Sequence, residues 1–166
     1  MENISKKFIS KNYIISTIPD NKNYNIKKDL EELLVGLGNR LCFYRDELLR
    51  LFGDINFTNS EIVSGRVHES KDSIAVGDFV SEARRSEIYG EYSLGQALLL
   101  ISLLPINKIC EPIHIYLKER KGDISYCFRI FRDHNSGFIL TFDEIDHEVK
   151  KSFDSGTSIL SPVLEI

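Results

Sequence analysis

Residues 113–142 read IHIYLKERKGDISYCFRIFRDHNSGFILTF. At its start Ile113, Ile115 and Leu117 alternate with His114, Tyr116 and Lys118. A period of two marks a strand with one buried face. Lys121-Gly122-Asp123 is a turn sequence, and so is Asp133-His134-Asn135-Ser136-Gly137. Strands are therefore expected from Ile113, over Ser125 to Arg132, and over Phe138 to Phe142. Connections this short join antiparallel neighbours, so the stretch predicts a three-stranded meander.

The alternation also sorts side chains by face. Ile113, Ile115, Leu117, Tyr126, Phe128, Ile130, Phe138, Leu140 and Phe142 fall on one face, which is expected to pack on helices. His114, Tyr116, Lys118, Cys127, Arg129, Phe131, Ile139 and Thr141 fall on the other. That second set is too apolar for a solvated face and too polar for a core. One reading is partial cover by the N-terminal helix or a C-terminal arm. The other is a protein-binding surface anchored by Tyr116, Arg129 and Phe131, because Tyr, Phe and Arg are typical interface anchors.

Upstream, Leu30, Leu34, Leu37, Leu41, Tyr44, Leu48 and Leu51 repeat at helical spacing. The stripe predicts one long helix over 26–52, with Asn25 as N-cap and Gly53 just past its end. Gly36 and Gly38 leave open a break into two helices, since each glycine costs about 1 kcal/mol in a helix interior. A second helix is expected from Ile74 or Asp78 to Tyr89. A third begins at Ser93, whose partner Gln96 completes a capping box, and runs to Leu104 as a helix apolar almost all round. Phe8 to Ile18 and Glu61 to Val67 read as strands. Asp54 to Ser60 and His68 to Ser73 read as polar connections. Thr157 to Ile166 reads as a final edge strand, because Pro162 cannot donate to a ladder. The sum is a single α+β domain over residues 1–166, an antiparallel sheet packed against three helices.

The acidic run Asp143, Glu144, Asp146 and Glu148 surrounds His147. It does not follow the spacing of a calcium loop, and reads as a solvated charged segment or as a docking patch for a basic partner. His68 and Glu69, followed by Asp72, make the best single place to look for catalysis, in a small hydrolase or transferase. They lack the second histidine of a zinc protease motif. No serine elbow, Walker sequence or dinucleotide fingerprint occurs. Cys42, Cys110 and Cys127 are odd in number and have no metal-ligand spacing, so neither a metal site nor a cofactor is expected.

The chain has 166 residues and carries 21 Lys+Arg against 25 Asp+Glu, for a net charge of −4. That balance argues against a dedicated nucleic-acid surface, which needs net basic charge to displace counterions from phosphates. No apolar run approaches the roughly 20 residues of a membrane span, and no secretory signal is read at the start. A cytoplasmic location is expected.

In overall character the chain resembles the small, acidic immunity proteins of bacterial toxin–immunity pairs, including contact-dependent growth-inhibition systems. The resemblance rests on the leucine-rich helix at Ser93 to Leu104, the hairpin-rich sheet at Ile113 to Phe142 and the acidic run Asp143 to Glu148. It implies a binding protein, not an enzyme, which occludes the active site of one cognate toxin domain, often a basic nuclease. Tyr116, Arg129, Phe131, Asp143, Glu144, Asp146 and Glu148 are the expected contact residues. The same character is similar to that of dimeric acidic secretion chaperones.

Overall fold

The turn sequences close the meander where the alternation places them. A computed structural model of the chain describes residues 8–34, 41–43, 45–70, 74–75, 91–104, 112–133, 137–146, 152–153 and 158–162. Within these, the elements run β1 (Phe8–Ser16), β2 (Asn23–Asn25), α1 (Ile26–Leu33), β3 (Leu41–Phe43), α2 (Arg45–Phe52), β4 (Asn56–Thr58), β5 (Ser64–Ser70) and β6 (Ile74–Ala75). They continue with α3 (Leu94–Ile101), β7 (Ile113–Lys121), β8 (Ile124–Asp133), β9 (Gly137–Asp146), β10 (Ser152–Phe153) and β11 (Ser158–Pro162). The fold is α+β. Gly122 turns β7 into β8 at φ +59°, a left-handed conformation that glycine adopts without a Cβ clash.

The main sheet has seven strands in the order β1-β5-β11-β7-β8-β9-β3. Its neighbours are antiparallel except at two joints, β11 with β7 and β9 with β3. Short ribbons β2–β4 and β6–β10 stand apart from it.

The first face of the meander is the core face. Ile113, Ile115, Leu117, Tyr126, Phe128, Ile130, Leu140 and Phe142 are all buried there with Leu30, Leu48, Phe52 and the apolar residues of α3. At one end of this layer, Tyr126 and Phe142 stack at 5.1 Å while Phe52 meets both edge-on. Offset stacking and edge contacts are the favourable aromatic arrangements. The α3 capping box forms as expected between Ser93 and Gln96. Glu119 of β7 adds to it, its carboxylate accepting the Leu94 N–H at 2.9 and 3.0 Å.

The joint between β11 and β7 decides how the sheet closes. The two strands pair only at Ser158–Ile113 and Ile159–His114. Beyond that point Tyr92 takes over the vacant edge of β7: its N–H donates to Tyr116 O and its carbonyl accepts from Lys118 N–H. The Tyr92 hydroxyl then reaches across to donate to Ser64 O at 3.0 Å, on β5. Gly65 makes room for it. A Cβ there would lie 2.7 Å from the Tyr92 hydroxyl and 2.9 Å from Leu160. Two extra residues of β7 between Tyr116 and Arg120 bulge at this place. They aim Arg120 at Glu91, with an Nη2–Oε1 distance of 2.5 Å, so the segment before α3 is clamped to the bulge.

Several expectations are corrected. The leucine stripe is not one helix: α1 and α2 are separate, and Leu41–Phe43 between them joins the sheet as β3, parallel to β9. Ladder bonds at the sheet edge there replace a helix that Gly36 and Gly38 would have weakened. Asn25 does cap α1, accepting from Lys28 N–H. Ile74–Ala75 is strand, and the helix expected up to Tyr89 falls outside the described residues from 76 onward. The connection at Asp54 to Ser60 contains β4. His68 and Glu69 lie in β5, not in a loop. Asp143 to Asp146 continue β9 past Phe142, the end expected for the third strand. β11 is an interior strand; Pro162 is accommodated because the β7 pairing has already ended.

Removing the Tyr92 hydroxyl takes away one buried hydrogen bond, so Tyr92→Phe is expected to lower stability by about 1 kcal/mol. Phe142→Ala empties part of the aromatic cluster and is expected to lose about 3–5 kcal/mol. Urea unfolding of both variants checks the two values and their order.

Candidate protein-binding surface

Strand register assembles the second face. His68 pairs with Ile159, Ile159 with His114, His114 with Arg129, and Arg129 with Thr141. These five residues form one row across five strands. The next row runs Tyr116, Cys127, Asp143. A third pairs Phe131 with Ile139.

This face is largely covered. Ile159 is 1% exposed, Cys127 2%, Tyr116 3%, and His68 and Thr141 6% each. The helices α1, α2 and α3 contribute to the opposite, core face, so the N-terminal helix is not the cover. Burial pushes the Tyr116 phenol and the Cys127 thiol well up from their ordinary values. Cys127 donates to Phe128 O and is an inert buried thiol. Tyr116, expected as an exposed anchor, is buried and offers no surface to a partner.

The accessible part is smaller and lies toward β9. Arg129 and Asp143 have side chains 41% and 48% exposed, with Arg129 Nε 3.7 Å from Asp143 Oδ2. The Arg129 guanidinium also sits 5.1 Å from the centre of the Phe131 ring. The Thr141 hydroxyl lies 3.2 Å from Asp143 Oδ2 and steadies that carboxylate. Arg129 Nε is itself shielded from solvent and has no hydrogen-bond acceptor among the described residues. Three sequence-predicted contact residues, Arg129, Phe131 and Asp143, are therefore brought together.

The remaining acids are divided by the pleat. Glu144 follows Asp143 in the strand and so takes the other face, where it is exposed. Asp146 is registered against Ile124 at the end of β9. Glu148 lies outside the described residues. One compact patch of four carboxylates is not what the strand builds.

The catalytic candidates do not converge either. His68 and Glu69 are consecutive in β5 and take opposite faces, and Asp72 lies outside the described residues. Among the described residues, no group of three or more His, Cys, Asp or Glu could hold a metal ion. An open cleft of about 390 Å³ lies at the β2–β4 ribbon, lined by Asn23, Asn25, Lys28, Asp29, Asn56 and Thr58 among others. None of the expected site residues lines it.

Sequence reasoning missed two surface features. Ile18 and Ile62 are 85% and 70% exposed beside the β1–β5 pair, at the other edge of the sheet. The row His68–Ile159–His114 joins strands far apart in sequence, and only their pairing reveals it.

The chain matches no family model, no curated protein and no solved structure. Among the described residues, no helix is long and apolar enough to cross a membrane.

The row carries a pH dependence. Burial lowers the pKa of His114, and Arg129 lowers it further against the opposing pull of the Ser158 carbonyl and Asp143. Burial and then Arg66 lower that of His68. Each imidazole is favoured neutral in the fold and takes up a proton more readily when unfolded. Stability is therefore full above the ordinary value of 6.5 and falls as pH drops below it. The urea midpoint is expected to decline between pH 7.5 and 5.5, and His114→Gln to flatten that decline.

Proposed function

We propose that this chain is an immunity protein, which binds a cognate basic toxin domain in the cytosol and covers its active site. The observation that carries this reading is the half-exposed cluster of Arg129, Phe131 and Asp143 at the margin of a covered sheet face. An aromatic ring under a guanidinium, beside a carboxylate, is the composition of an interface anchor. Net charge −4 favours encounter with a basic surface.

In this mechanism Asp143 and Glu144 steer the encounter. Phe131 and the aliphatic stem of Arg129 are then buried against the toxin. Asp143 exchanges its long ion pair at 3.7 Å for a closer one with a toxin Lys or Arg.

The test begins with the gene neighbourhood, where a toxin domain is expected beside this chain, and proceeds with that domain. Co-expression is expected to rescue growth, and stopped-flow mixing to give a salt-dependent association rate. Asp143→Lys with Glu144→Lys is expected to slow association about tenfold at low salt and to flatten its salt dependence. Phe131→Ala is expected to act on dissociation, accelerating it about tenfold. An association rate that ignores both reversals would overturn the steering role, and absence of any complex would overturn the immunity reading.

A further inference from the structure

We infer that the outer edge of β9, from Thr141 to Asp146, receives an extended basic segment of the partner as an added strand. The inference rests on the partner-binding reading above and specifies its geometry. β9 pairs with β8 along its whole length, from Gly137 opposite Asp133 to Asp146 opposite Ile124. On its outer side it pairs with β3 only at Phe138, Ile139 and Leu140. Among the described residues, nothing continues that outer ladder past Leu140. Alternate N–H and C=O groups of a six-residue stretch therefore face outward, which is the template for strand addition.

The side chains specify what can pair there. Three of the six residues are acidic: Asp143, Glu144 and Asp146. An added strand sets its side chains about 5 Å from those of β9, on both faces of the sheet. Because Asp143 and Glu144 take opposite faces, the incoming segment meets negative charge on each. Asp143 has one cation, Arg129 at 3.7 Å, and Glu144 is exposed with no ion pair among the described residues. An incoming strand with Lys or Arg at successive positions fits both faces.

A second copy of this chain does not fit. Two β9 edges laid side by side would set these carboxylates against one another, and like charges opposite each other destabilise a sheet. The acidic edge thus discourages self-pairing and selects a basic partner by the same physics.

The experiment uses the whole chain and a synthetic probe. The probe is a peptide of about ten residues built from Lys-Lys-Val-Val repeats, which presents Lys on both faces of an added strand and is long enough to span the stretch at roughly 3.4 Å per residue. Its control carries the same charges but has alternate backbone nitrogens methylated. Amide hydrogen exchange, resolved by residue, is the readout. The parent peptide is expected to slow exchange about tenfold at alternate positions within 141–146, and the methylated peptide to have no such effect. Asp143→Asn combined with Glu144→Gln is expected to weaken the protection. Equal responses to both peptides would overturn strand addition while leaving charge-guided docking intact. No response at 141–146 to either peptide would also overturn it. Edge protection by the parent peptide, together with a toxin complex indifferent to Asp143 and Glu144, would instead remove the steering reading and keep the edge.

Discussion

The parallel seam between β11 and β7 is the joint on which the sheet depends. On one side stand β1 and β5; on the other stands the meander with β3. Only two residue pairs of direct ladder connect them. Such a short seam is weak by itself, since parallel pairing is slightly less stable per residue than antiparallel pairing. Tyr92 makes it a continuous structure. Its backbone pairs with β7, its hydroxyl holds β5, and its ring is buried between them at 1% exposure. The bulge in β7, the Arg120–Glu91 pair and the Glu119 cap on α3 all serve to set Tyr92 at that place. A polar buried group without its partner would be costly, so the hydroxyl specifies the position of β5 as well as stabilising it.

Local chemistry was legible in the sequence, and long-range pairing was not. The meander, its core face, the Asn25 cap and the Ser93–Gln96 box depend on neighbours within a few residues, and each forms as read. The failures share one cause. A leucine every three or four residues is equally consistent with two short helices and an intervening strand. Only the apolar edge of β9 decides that Leu41–Phe43 is extended. Likewise Pro162 suggested an edge, and only the early end of the β7 pairing lets it lie in an interior strand.

The candidate surface divides in the same way. Alternation placed Arg129, Phe131 and Asp143 on one face, which the structure brings together. It also placed Tyr116 there, but could not show that the row from Tyr116 to Cys127 is shielded. Reading the acids as one charged segment or patch hid the pleat, which sends Asp143 and Glu144 to opposite sides. Face is written in a sequence; cover is not, because it depends on what else the fold lays over each row.

The position of β11 has a consequence for how the molecule is made. β5 ends at Ser70 and its second neighbour begins at Ser158. The meander can assemble from adjacent hairpins as it is synthesised. The β1–β5 pair must wait, with one flank unsatisfied, until the ribosome releases the β11 segment. That interval exposes Val67 and the backbone of β5, the kind of unpaired strand on which nascent chains aggregate. The order of strands along the chain thus sets how long that flank of β5 stays unpaired.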